Sequence, residues 1–112
     1  MVEATKDSFH DLVAEGVTLV DVWGPSCVPC IQLMPDVERI EADRDVKVVK
    51  VEAPKNRRLC MELKVMGLPA FLLFRDGEEF SRLDGEVSSA GLWEWVDGNL
   101  ATSAADGGED AC

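Results

Sequence analysis

The chain has few basic residues and few aromatic ones. Of its 112 residues, 11 are Lys or Arg against 22 Asp or Glu, a formal charge of −11. A surface of that sign repels a phosphate backbone, which argues against nucleic acid as a partner. Aromatic residues make up 6% of the chain and form no cofactor box. No apolar run approaches the roughly 18 to 20 residues that cross a bilayer, so no membrane span or anchor is expected. Met1 to Asp7 lack a basic stretch followed by an apolar one, so they do not read as a secretory signal, and a reducing cytoplasm is the expected compartment. Four cysteines at 27, 30, 60 and 112 are too few for a disulfide framework, and only Cys27 and Cys30 are close in sequence. The single histidine, His10, and Cys60 have no evident reason to converge on that pair, so no metal site is expected. Glycine-rich phosphate loops, Ser/His/Asp sets and internal repeats are also absent.

What the chain has is enough apolar content, 46%, to bury one core without covalent staples. Its apolar spacing predicts an element order. Phe9, Leu12 and Val13 after Thr5 read as an amphipathic helix from about Lys6 to Glu15, ended by Gly16. Val17 to Trp23 is a β-branched apolar run that suits a central strand. Ile31, Leu33, Met34, Val37 and Ile40 mark a long helix from Pro29 or Cys30 to about Ala42, with Pro35 inside it to kink the axis. Val46 to Val51 reads as a strand, Pro54 to Lys64 as a short helix, and Ala70 to Phe74 as another strand. Asp76-Gly77 then turns a hairpin into Glu79 to Leu83. Leu92, Trp93, Trp95, Val96 and Leu100 close with a helix, whose two tryptophans cannot share a face, so one is expected in the core. The reading is a domain over 1–101 and a flexible acidic tail over 102–112. Helices between strands imply a mostly parallel sheet, with only the hairpin needing to be antiparallel. Lys50, Lys55, Arg57, Arg58 and Lys64 cluster along the chain and read as a solvated face.

The chemistry is concentrated between Asp21 and Cys30. Two thiols three positions apart, where a strand gives way to a helix, can close a small disulfide, and the helix amides favour the thiolate of the first. Asp21, a lone acid in an apolar strand, is placed to accept a proton from the second thiol, and burial there raises its pKa. Cys60, beside Leu59 and Leu63, reads as a buried structural thiol, and Cys112 as inert.

Four features in order, from about Val2 to Ala101, resemble the thioredoxin family. They are Val20-Asp21-Val22-Trp23 leading into Cys27-Val28-Pro29-Cys30; Pro35; Gly67-Leu68-Pro69 before a strand and hairpin; and Asp97-Gly98-Asn99-Leu100-Ala101. The resemblance implies an α/β thioredoxin fold, a central sheet flanked by four helices. It also implies a protein dithiol–disulfide oxidoreductase with no bound cofactor, reducing disulfide-containing protein substrates and re-reduced by a thioredoxin-reductase-type donor. On this pattern Cys27 forms the mixed disulfide, Cys30 resolves it and Asp21 accepts the Cys30 proton. Pro69 is the cis-proline beside the thiols, Trp23 packs under their loop, Pro29 supports the active site, and Lys50 pairs with the buried acid. Gly67, Leu68 and Gly85 belong to the docking surface, and the chain is expected to act as a monomer.

The motif departs from the usual Trp-Cys-Gly-Pro-Cys-Lys at Ser26, Val28 and Ile31. Ser26 removes a surface aromatic, Val28 adds bulk between the thiols, and Ile31 removes a positive charge. These changes favour, as an alternative, a specialised carrier serving one partner system. A non-catalytic binding module with the same fold is the alternative of a different class.

Overall fold

The computed structural model describes residues 1–109, with side chains to residue 101, so Cys112 and the side chains of the expected acidic tail lie outside the described residues. Five strands and four helices follow in the order β1 (Val2–Glu3), α1 (Phe9–Leu12), β2 (Val17–Trp23), α2 (Val28–Arg44), β3 (Lys47–Glu52), α3 (Arg57–Glu62), β4 (Ala70–Arg75), β5 (Glu78–Asp84) and α4 (Ser89–Glu109), with a 3₁₀ turn at Ala53–Lys55. The strands form one sheet in the order β1-β3-β2-β4-β5.

The sheet is mixed rather than mostly parallel. β3 pairs in parallel with β1 and β2, whereas β4 runs antiparallel to both β2 and β5. Helix length accounts for the difference. The 17 residues of α2 rise about 25 Å, enough to carry the chain back along β2 and start β3 in parallel. The six residues of α3 rise only about 9 Å, too little to travel back along a strand of about 20 Å. β4 therefore starts at the end of the sheet where β3 stops, and Ala70 lies opposite Val22.

β2 is the central strand, and Thr18 to Val22 are all buried in it. On one face Val20, Val22, Val49, Val51, Leu72 and Phe74 pack with Phe9 of α1, Val13 just after it and Leu59 of α3. On the other, Leu19, Val48, Phe71 and Leu73 pack with Leu33, Val37 and Ile40 of α2 and Leu92 and Val96 of α4. Each such side chain contributes about 1.5–3 kcal/mol by leaving water. Among the described residues no helix is long and apolar enough to cross a membrane.

Several expectations are corrected in detail. α1 is shorter than Lys6 to Glu15 because the chain after it is held by the hairpin turn. Gly77 N–H donates to the Val13 carbonyl at 2.9 Å, and Gly16 N–H to Asp76 Oδ1 at 2.8 Å. That turn has φ of 50° at Asp76 and 89° at Gly77, the left-handed pair a two-residue hairpin requires. Neither C-terminal tryptophan is in the core, because Leu92 and Val96 hold the inward positions. Trp93 and Trp95 lie half-buried, donating their indole N–H to Asp36 at 3.0 Å and Ser81 at 2.9 Å. Ile31 is not part of the buried stripe of α2 and is 47% exposed. The segment before α1 forms β1, the short strand that pairs with β3.

Candidate active site

Strand β2 ends at Trp23 and the loop Gly24 to Ser26 turns the chain into α2, whose N-cap is Cys27. Cys27 is extended, with φ −92° and ψ 101°. Its Sγ accepts the backbone N–H of Cys30 at 3.2 Å. That N–H is one of the helix donors with no carbonyl partner, and a sulfur carrying negative charge is the best acceptor it can meet. Pro29 occupies the first turn, where its missing N–H interrupts no helical bond. Cys27 and Cys30 are joined in a disulfide across a Cα separation of 5.2 Å. Cys27 is half-buried at the surface, whereas Cys30, one turn deeper, is 2% exposed.

Asp21 is 1% exposed, and its Oδ2 has no hydrogen-bond partner among the described residues. Burial pushes its carboxyl up to about 7, against a lowering by the Lys50 charge and with a smaller upward push from Glu3. The sheet register explains these neighbours. Glu3, Lys50 and Asp21 stand opposite one another on β1, β3 and β2. Side chains in one rung point to the same face, the face α2 covers. Lys50 makes its ion pair with Glu3, Nζ to Oε2 at 3.5 Å, and its ammonium sits 4.5 Å from the centre of the Trp23 ring. Trp23 Nε1 donates to the same Glu3 oxygen at 3.2 Å.

The antiparallel entry of β4 supplies the other wall. The Leu68-Pro69 peptide bond is cis. Pro69 precedes the Val22–Ala70 rung and so stands at the end of β2 where the thiol loop departs. Pro29, Leu68, Pro69 and Gly85 line one cleft of about 570 Å³ with Val87. Gly67 and Leu68 continue into a neighbouring groove of about 430 Å³ lined by Cys60, Met61 and Met66. Val28, between the two cysteines, and Met66, in the groove, stand 62% and 96% exposed. Cys60 is a free, buried thiol whose pKa burial raises. His10 lies on α1 and meets Glu62 at 3.1 Å.

Three residues at the site went unassigned in the sequence. Gly24 is buried, and a Cβ on it would lie 3.1 Å from Leu68 Cδ1, so the glycine lets the two loops close on each other. Its place between Trp23 and Pro25 in the turn was the available signal. Arg82 of β5 donates to the carbonyls of Leu63 at 2.7 Å and Lys64 at 2.9 Å, holding the end of α3 from which the cis-proline loop starts. Glu3 gave no signal, because a two-residue strand is too short to show alternation.

The thioredoxin family model matches residues 1–98. The chain belongs to the thioredoxin family. It is 37% identical over 94 residues to thioredoxin of Acetoanaerobium sticklandii, covering 80% of this chain and 90% of that protein. It is 32% identical over 102 residues to thioredoxin of Bacillus subtilis, covering 89% of this chain and 98% of the relative. Among solved structures, a thioredoxin point mutant from Halobacterium salinarum superposes with a TM-score of 0.79 at 26% identity, covering 87% of this chain and 88% of that one. Thioredoxins are thiol–disulfide oxidoreductases that act on disulfide substrates and take electrons from a reductase. With Cys27 and Cys30 joined as a disulfide at the helix terminus, this thioredoxin is a dithiol–disulfide oxidoreductase.

Proposed function

We propose that the reduced chain transfers two electrons to protein disulfides, with Cys27 as nucleophile and Cys30 as resolving thiol. The supporting observation is the unequal exposure of a bonded pair: a substrate sulfur can reach half-buried Cys27 but not Cys30 at 2%. In the first step the Cys27 thiolate attacks one substrate sulfur, breaking the substrate S–S bond and forming a mixed disulfide, and the other substrate sulfur leaves as thiolate. Cys30 then loses its proton to the Asp21 carboxylate. The resulting thiolate attacks the Cys27 sulfur, closing the Cys27–Cys30 disulfide and releasing the second substrate thiolate. A proton acceptor works best when its pKa lies near the operating pH, and Asp21, at about 7, meets that condition.

Pro69, Leu68, Gly67, Gly85 and Pro29 form the surface on which the substrate segment lies, with Trp23 and Lys50 supporting it from below. A thioredoxin-reductase-type donor returns two electrons to the disulfide. The same reading places the protein in the cytoplasm as a monomer without nucleic acid or membrane partners, in keeping with a charge of −11. The exposure of Val28 and Ile31, 62% and 47%, favours a second reading in which this apolar rim restricts the chain to one partner system.

Trapping tests the assignment. Cys30→Ser is expected to accumulate a mixed disulfide through Cys27, located by mass spectrometry, while Cys27→Ser accumulates none and loses insulin-disulfide reduction by more than about 1,000-fold. Trapping through Cys30, or activity retained in Cys27→Ser, would overturn it.

A further inference from the structure

On the rung that crosses β1, β3 and β2, Lys50 stands between two carboxylates. Asp21 is its neighbour on β2 and Glu3 its neighbour on β1, one strand spacing of about 4.8 Å to either side. Its ammonium lies with Glu3 at 3.5 Å, above the Trp23 ring, while Asp21 Oδ2 is left without a hydrogen-bond partner among the described residues. Trp23 is fixed by the same Glu3 oxygen at 3.2 Å. One carboxylate on the shortest strand of the sheet thus holds both the cation and the ring beneath it.

We propose that Glu3 is a positioning residue for the proton step at Cys30: by holding Lys50 and Trp23 at the sheet edge, its carboxylate keeps the Lys50 ammonium from closing on Asp21. The proposal rests on Asp21 being the proton acceptor. A lysine paired directly with Asp21 would hold that carboxylate ionised and weaken it as a base. Glu3 opposes this in two ways of the same sign, by diverting the lysine and by its own negative charge, which disfavours ionisation of Asp21. The charged groups acting on Asp21 are Lys50 from β3 and Glu3 from β1, while Phe71 stands opposite it on β4.

Glu3→Gln keeps an acceptor for the Trp23 indole and removes the charge, while Glu3→Ala removes both. The Asp21 carboxyl is followed by ¹³C NMR in the oxidised full chain, its resonance identified by loss in Asp21→Asn. Mixed-disulfide resolution is followed separately against pH. In Glu3→Gln the Asp21 midpoint is expected to fall by roughly half a pH unit, the size for a half-exposed charge acting through partial screening, and the inflection of the resolution rate to fall with it. Glu3→Asp restores both. In a Lys50→Met background the Glu3→Gln shift shrinks, and an undiminished shift there would remove Lys50 from the argument. An unmoved Asp21 midpoint in folded Glu3→Gln and Glu3→Ala would overturn the proposal. A shifted midpoint with an unmoved rate profile would instead overturn the role of Asp21 as acceptor.

Discussion

Asp21 sits where the fold would prefer a neutral side chain. Its carboxyl has a pKa raised from 3.8 to about 7, so between those values the folded chain binds a proton that the unfolded chain does not. Stability on this account is fully present below about pH 4 and is lost as pH rises through about 7. Asp21→Asn is therefore expected to raise the unfolding free energy measured in urea at pH 8 by about 2–4 kcal/mol, at 1.36 kcal/mol per pK unit, and to change it little at pH 4. An equal gain at both pH values would mean that the carboxyl takes up no proton on folding. Cys27, Cys30 and Asp21 were legible because each breaks its context: thiols at a strand–helix junction, and an acid in an apolar run. Glu3, Gly24 and Arg82 were not, because a carboxylate on an edge, a glycine in a turn and a cation on a hairpin are ordinary in sequence. They acquire their roles only from the sheet register and from loops far apart in the chain. The partner Lys50 takes belongs with them: the expected pairing with Asp21 named a rung neighbour, and the ion pair went to the other side of the rung.

At the scale of elements, apolar periodicity placed β2, β4, the hairpin and α2 within a few residues. It did not give the direction of β4, which depends on how far α3 can carry the chain. Nor did it give the length of α1, which depends on a loop that the hairpin turn holds. The link from α3 to β4 is clamped by Arg82, whose guanidinium bonds Glu79 at 2.7 Å and the Leu63 and Lys64 carbonyls. Arg82→Met keeps the aliphatic stem and leaves those carbonyls without their donor. It is expected to cost about 1–3 kcal/mol in urea denaturation and to lower the rate of disulfide reduction, since the loop it anchors carries Leu68 and Pro69. Full stability in Arg82→Met would show that water replaces the clamp without loss.

For the whole molecule, a charge of −11 on 112 residues means that the folded state works against its own repulsion. Ion pairs such as Arg44–Asp97 at 2.6 Å pull the other way and are weakened by salt, but exposed pairs of this kind contribute little. With a net charge of −11, repulsion is expected to be the larger effect. The thermal midpoint is expected to rise by a few degrees as sodium chloride goes from 0.01 to 0.3 M and the screening length drops from about 30 Å to below 10 Å. A falling midpoint in calorimetry would show that the pairs dominate instead.

The order in which the sheet is threaded has a consequence in time. The thiols are translated early, at 27 and 30, whereas the opposing wall arrives with Gly67 to Pro69 and Gly85. Until Ala70–Arg75 docks, β2 has one open edge and the cysteines have a helix beneath them but no cleft beside them. A nascent chain of half this length carries the entire Cys-x-x-Cys sequence, Pro29 included, but neither the cis-proline loop nor Gly85. The dithiol sequence is therefore complete before the wall that stands beside it, and that wall is in place only once β4 pairs with β2.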